Sequence, residues 1–218
     1  MKLYGFCASN YYNAVKHLLL AKGLTFEEVK EFPSQDPAYL EIHPLGKVPA
    51  LGTEQGAISE TDIIMDYVDG LEGPKFFPED AFEKAKCREI MKVAELYIEL
   101  PARRNNPEVL IGNPRCETAY QEARPLMEKG FKALDTLCQC SPFLMGDKMT
   151  AADIFVRYAL VVGNMVAAKI YDWKPLDEYP ALKAWNKVMR EDPISQKVDQ
   201  DSQAAMKDLM DYFVKFKK

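Results

Sequence analysis

The fold is decided by Pro44-Leu45-Gly46-Lys47-Val48-Pro49-Ala50-Leu51, the turn Glu54-Gln55-Gly56, and the run Ile58-Ser59-Glu60-Thr61-Asp62. Val48 and Pro49 open an apolar strand over 48–52. The turn sends the chain back in a second strand over 56–59, which predicts an antiparallel hairpin. A helix over 61–69 then begins on small polar residues, with Ile63, Ile64, Tyr67 and Val68 as its apolar face. Each piece offers something to an extended, anionic peptide. Val48 presents its backbone N–H and C=O like a sheet edge. Pro49 removes one donor, and an X-Pro bond is the place where a cis peptide is expected. The amides near Thr61 and Asp62 lie at a helix N-terminus, where carboxylates bind.

Working upstream, Lys2–Phe6 alternates apolar and polar and ends in the small-residue turn Cys7-Ala8-Ser9-Asn10. From Tyr11 the period becomes helical through Ala14, Val15, Leu18, Leu19 and Ala21, with Gly23 as the stop. A strand over 25–29 completes a β-α-β unit, predicted parallel with a right-handed crossover. Prolines 33, 37 and 44 leave room only for a short helix near 38–42. The order over 2–69 is β-α-β-α-β-β-α, one α/β domain with a mixed four-stranded sheet. Working downstream, 71–75 is turn-rich and 76–83 reads as a linker. No strand pattern follows. Helices are expected over 80–105 (broken near Pro101), 116–140 (kinked at Pro125), 150–170, 180–191 and 200–217. The expected domains are therefore 1–75, α/β, and 84–218, all-α.

Composition narrows the function. The chain has 218 residues, 48% hydrophobic and 28% charged, which is ordinary for a globular protein. A formal charge of −5 weighs against nucleic acid as a partner. The basic residues Lys215, Lys217 and Lys218 suit a helix C-terminus. No apolar run reaches the about 18–20 residues that span a bilayer, and the first residues lack signal-peptide architecture. The five cysteines (7, 87, 116, 138 and 140) are odd in number and irregular in spacing, so no disulfide framework is expected. Cys138-Gln139-Cys140 lacks the Cys-x-x-Cys redox spacing. With two histidines, no metal site is expected. A reducing, cytoplasmic setting follows.

The order of elements, Lys47-Val48-Pro49, Glu60-Thr61 and the helical second half together resemble the cytosolic glutathione S-transferase family, in its bacterial, serine-type form. Thr150-Ala151-Ala152-Asp153 is similar to the family's capping box, and independently reads as one, with Met149 and Ile154 as the hydrophobic staple. The resemblance spans the whole chain. It implies a thioredoxin-like N-terminal domain, a helical domain contributing an electrophile site, glutathione as co-substrate, and a homodimer. Thr61 stands where the family more often has Ser, and its hydroxyl can still donate.

Glutathione brings its own thiol. With a pKa of about 8.5, only a few per cent is thiolate at neutral pH, so the protein must stabilise the thiolate. The donor belongs where the first strand meets the first helix, whose N-terminus adds positive potential. The resemblance implies Ser9, by donation from Oγ. Asn10 is a second candidate through its amide. Cys7 is a third, by mixed disulfide, although it lies two residues early and free cysteines are often simply buried. Each polar residue also suits a cap or turn.

For the tripeptide, the resemblance implies Lys47 on the glycine carboxylate, the Val48 backbone on the cysteinyl backbone, Pro49 shaping the edge, Glu60 on the γ-glutamyl ammonium, and Thr61 on the adjacent carboxylate. Bland readings stand beside these: a solvated Lys47, and a first-turn Glu60 favoured by the helix dipole. His43 reads as a surface or supporting residue. Tyr11, Tyr12, Tyr97 and Arg104, with Arg103 beside it, are candidates for a small hydrophobic electrophile. Trp173 and Trp185 read as packing anchors. The expected activity is conjugation of glutathione to a soft electrophile, or reduction of a peroxide. The alternatives are a Cys7-dependent thiol transferase, a glutathione-dependent isomerase, and a non-catalytic binding or regulatory protein on the same scaffold.

Overall fold

The structure, a computed structural model, describes residues 1–214, so Lys215, Lys217 and Lys218 lie outside the described residues. The chain divides into two compact units. One is Met1–Phe77 with Asp192–Leu209, and the other is Pro78–Glu191 with the chain from Met210.

In the first unit the elements are β1 (Lys2–Gly5), α1 (Asn10–Ala21), β2 (Glu27–Lys30), α2 (Pro37–Leu40), β3 (Ala50–Thr53), β4 (Gly56–Ser59) and α3 (Thr61–Gly70). The sheet order is β2-β1-β3-β4. β1 and β2 pair in parallel, with Leu3 opposite Glu28, while β1–β3 and β3–β4 are antiparallel. This is the expected β-α-β-α-β-β-α order. The hairpin's first strand begins two residues later than the sequence suggests, because Pro49 cannot donate to a ladder. The Val48–Pro49 bond is cis. Leu3 and Leu51 are fully buried against Val15, Leu18 and Leu19 of α1 and Ile64, Met65 and Val68 of α3. Ile63, expected on the apolar face of α3, is 51% exposed; Met65 takes the buried position instead.

Ser9 caps α1, and the helix ends with Gly23 at φ 68°, where the Gly23 and Leu24 amides close back on Leu20 and Leu19 at 3.0 Å. Gly5 is required by close approach: a β-carbon there would sit 2.4 Å from the Tyr12 ring.

The last helix expected from sequence is two helices, α10 (Pro193–Ala204) and α11 (Met206–Val214). α10 starts earlier than its periodicity suggests because Pro193 suits the first turn and the Asp192 carboxylate accepts from the Ser195 amide at 2.7 Å. α10 belongs to the first unit, where it packs on α1 and buries Ser195 and Val198.

The second unit is helical: α4 (Ala81–Ala94), α5 (Leu100–Arg103), α6 (Glu117–Leu137), α7 (Ala151–Tyr171), α8 (Pro175–Glu178) and α9 (Pro180–Glu191). The break expected near Pro101 is a π-helical turn, Glu95–Glu99, just before the proline. Gly130 of α6 lets this turn approach closely, since a β-carbon there would meet Ile98 at 2.6 Å. α6 continues as one helix through Pro125.

α7 is long and apolar enough to cross a membrane by length and composition, which the sequence reading missed. Most of it is buried, and its hydrophobicity is that of a core helix. The capping box at its start is present. Asp153 accepts from Thr150 N at 2.8 Å, Thr150 Oγ1 at 2.9 Å, and Leu144 N and Trp185 Nε1 at 2.8 Å each. Trp185 is thus an interior anchor. Trp173 meets Phe131 edge-on at 5.6 Å.

Candidate functional site

The turn between β1 and α1 holds all three candidates for the sulfur's partner. Ser9 is half-buried. Its amide donates to Phe6 O at 3.0 Å, and its Oγ accepts from Tyr12 N at 3.4 Å. Accepting leaves the hydroxyl proton for another partner. Asn10 follows as the first helical residue and is only 8% exposed.

Cys7 has different surroundings. Its thiol donates to Glu28 Oε2 at 3.6 Å and accepts from Lys16 Nζ at 3.6 Å. Burial pushes the thiol above its ordinary range. The Lys16 ammonium opposes this, while the carboxylates of Glu28 and Asp201 reinforce it. A nucleophilic thiolate is therefore disfavoured at Cys7.

The Glu28 carboxylate also accepts from Tyr12 Oη and Lys16 Nζ, both at 2.7 Å, and Lys16 reaches Asp201 of α10 at 2.8 Å. The Lys16 side chain is 3% exposed, so its charge is held by these two carboxylates. Burial works against charge on Lys16, Glu28 and Asp201, but the hydrogen bonds among them prevail. Lys16 is raised, and Glu28 and Asp201 are lowered. Sequence reading missed this network. Lys16 on an apolar helix face was its only local signal, and Asp201 is remote in sequence.

The network also corrects one expectation. Tyr12, expected to contact an electrophile, is 1% exposed, with its ring under Gly5 and its hydroxyl given to Glu28. Tyr11, its neighbour, is half-buried.

The cradle residues flank the β3–β4 hairpin: Lys47, Val48 and Pro49 lie in the loop before β3, Glu60 between β4 and α3, and Thr61 at the start of α3. Lys47 is exposed, while its carbonyl accepts from Tyr39 Oη at 2.7 Å. Val48 is half-buried and Pro49 buried. Glu60 caps α3 in a left-handed conformation, φ 69°, with its side chain exposed and unused as a cap. A non-glycine residue held there is strained, and such strain concentrates at ligand sites. Thr61, at the first turn, is 6% exposed.

His43, read as a surface or supporting residue, is 2% exposed and uses Nδ1 to accept from Leu45 N at 3.3 Å. Burial lowers its pKa; the charge of Glu60 opposes that shift and the charge of Lys47 adds to it.

In the second unit, Tyr97 is 44% exposed on the π-helical turn. Arg104 donates to Glu122 Oε2 at 2.7 Å, both side chains about half exposed. Arg103 pairs with the buried Glu99.

Comparison with known proteins gives three findings. The family model for the glutathione S-transferase N-terminal domain matches residues 3–76, and that for the C-terminal domain matches residues 89–193. A glutathione S-transferase of Pseudomonas putida is 40% identical over 212 residues, covering 97% of this chain and 96% of that protein. Among solved structures, Gtt2 of Saccharomyces cerevisiae superposes with a TM-score of 0.73 at 26% identity, over 91% of this chain and all of that one. Glutathione transferase F2 of Populus trichocarpa has a TM-score of 0.77 at 18% identity over 93% and 99% of the two chains, a likeness of fold.

Proposed function

This chain belongs to the glutathione S-transferase family, and we propose that it conjugates glutathione to a soft electrophile with Ser9 as the partner of the sulfur. Lys47, the Val48 backbone, Glu60 and Thr61 hold the tripeptide, with Pro49 shaping the edge. The observation that carries the tripeptide site is Glu60: a left-handed, exposed carboxylate at the mouth of α3, above a buried Thr61. The γ-glutamyl ammonium pairs with Glu60, and its carboxylate takes the Thr61 hydroxyl and the first amides of α3. Lys47 meets the glycine carboxylate as a point charge.

In the reaction, Ser9 Oγ–H donates to the glutathione sulfur and stabilises the thiolate without itself ionising. The N-terminus of α1 adds positive potential at the same place. The sulfur lone pair then forms a C–S bond to the electrophilic carbon. A leaving group departs with its electron pair, or the pair moves onto the electrophile and is protonated. Tyr97 and Arg104 are assigned to the electrophile, and a homodimer in the cytoplasm is the assembly and setting we assign.

The test is direct. The protein should be retained on immobilised glutathione and eluted by free glutathione. Ser9→Ala should still be retained while losing about 10²-fold in conjugation rate, the scale of one donor to developing charge. Retention of full activity by Ser9→Ala, with loss in Asn10→Ala, would move the role to Asn10. Disulfide reduction abolished by Cys7→Ser alone would establish a thiol transferase instead. Failure to bind glutathione at millimolar concentration would overturn the site altogether.

A further inference from the structure

The chain that leads into β3 is tied to α2. Asp36 caps that short helix, its carboxylate accepting from Ala38 N at 2.9 Å, and Pro37 suits the first turn. After α2 the backbone folds back on itself. His43 N donates to Tyr39 O at 2.9 Å, Gly46 N to His43 O at 2.7 Å, and Ser34 N to Gly46 O at 2.9 Å. Gly46 is at φ 62°, and a β-carbon there would sit 2.0 Å from Ser34 O, so the crossing admits no larger residue. The ladder then begins at Ala50, opposite Tyr4 on one side and Ser59 on the other.

Lys47 and Val48 lie between these two fixed points. There the Tyr39 hydroxyl donates to the Lys47 carbonyl at 2.7 Å. Tyr39 is 5% exposed. A phenylalanine would pack the same ring, so what the hydroxyl adds is this bond. Burying a hydroxyl is costly without a partner, and the Lys47 carbonyl is that partner. Burial also pushes the phenol above its ordinary range, which keeps it a donor.

The bond fixes more than one oxygen. The peptide joining Lys47 to Val48 is planar and is not one of the chain's cis bonds, so its N–H points opposite to its C=O. With the carbonyl tied to Tyr39, the Val48 N–H is directed away from the Tyr39 hydroxyl. The same bond restrains rotation of this peptide about Lys47, whose side chain is exposed.

We infer that Tyr39 is a positioning residue for glutathione: by holding the Lys47 carbonyl it aims the Val48 N–H at the cysteinyl backbone of the tripeptide. The inference rests on the assignment of the Val48 backbone to that role. Tyr39 acts through the peptide and not on the sulfur. Its contribution is therefore the same before and during the chemical step, and a loss of this kind raises KM without lowering kcat.

The experiment is Tyr39→Phe, which removes the oxygen and keeps the ring. With conjugation measured at saturating electrophile, KM for glutathione should rise about 2–10-fold, the worth of one neutral hydrogen bond, while kcat keeps its wild-type value. Amide exchange followed by NMR gives an independent readout. Glutathione should slow exchange of the Val48 amide in the wild-type protein, and should slow it less in Tyr39→Phe at equal saturation. An unchanged KM overturns the inference, as does equal protection of Val48 in the two proteins. A fall in kcat with KM unmoved also overturns it, since that is the mark of a purely structural residue. If glutathione leaves exchange of the wild-type Val48 amide unaltered, the assignment of Val48 itself fails, and the role of Tyr39 falls with it.

Discussion

Cys7 and Ser9 share one turn, and their surroundings separate them. Cys7 faces the carboxylates of Glu28 and Asp201, which with burial keep its thiol protonated; Ser9 stands at the N-terminus of α1 with its hydroxyl proton uncommitted. Cys7→Ser should therefore leave the conjugation rate unchanged in a steady-state assay with a chromogenic electrophile, whereas Ser9→Ala should not. Lys16 gives the second residue-scale prediction. Glu28 and Asp201 have depressed pKa values, so their contribution is complete above the ordinary carboxylate range and is lost as pH falls through their folded values. Lys16 is raised, so its contribution is complete below about 10.4 and is lost as pH rises through its folded value. Urea unfolding should show a plateau between about pH 5 and 10. Lys16→Met should lower that plateau and soften both shoulders. The expected cost is about 1–3 kcal/mol, toward the low end because Glu28 and Asp201 are 42% and 31% exposed. At this scale the sequence supplied the residue types of the site. It did not supply Tyr12's burial, which follows from packing under Gly5.

Among the elements, α7 and its entry loop show how one side chain organises several backbones. The Asp153 carboxylate serves as acceptor for Thr150, Leu144 and Trp185. The Thr150 contact was legible as a capping box, because both partners are local. The Leu144 and Trp185 contacts were not, because they depend on how the loop and α9 return to the helix. Asp153→Ala strands buried donors on three residues and should cost about 3–5 kcal/mol, read as a shift in urea midpoint at unchanged slope. Asp153→Asn should cost less, since its amide oxygen still accepts. The same contrast holds at α3, where the polar start was legible. The left-handed Glu60 was not, since it depends on how the chain leaves β4.

Across the whole molecule, the segment Asp192–Leu209 belongs to the first compact unit although it follows the helical one in sequence. It supplies Asp201 to Lys16 and covers α1 with Ser195 and Val198. A chain ending after Glu191 should therefore show faster amide exchange along α1 than the full chain. Equal protection would mean that α10 contributes nothing to the first unit. The sequence by itself determined the order of strands and helices, the place of the cis proline, the hairpin and the capping box, because each rests on contacts between near neighbours or on a simple period. Only the tertiary structure decided that Cys7 is held as a thiol, that Tyr12 is interior, and that Glu60 has a positive φ. Those outcomes depend on burial, on charges brought from distant parts of the chain, and on how the chain leaves one element for the next, none of which leaves a periodic mark in the sequence.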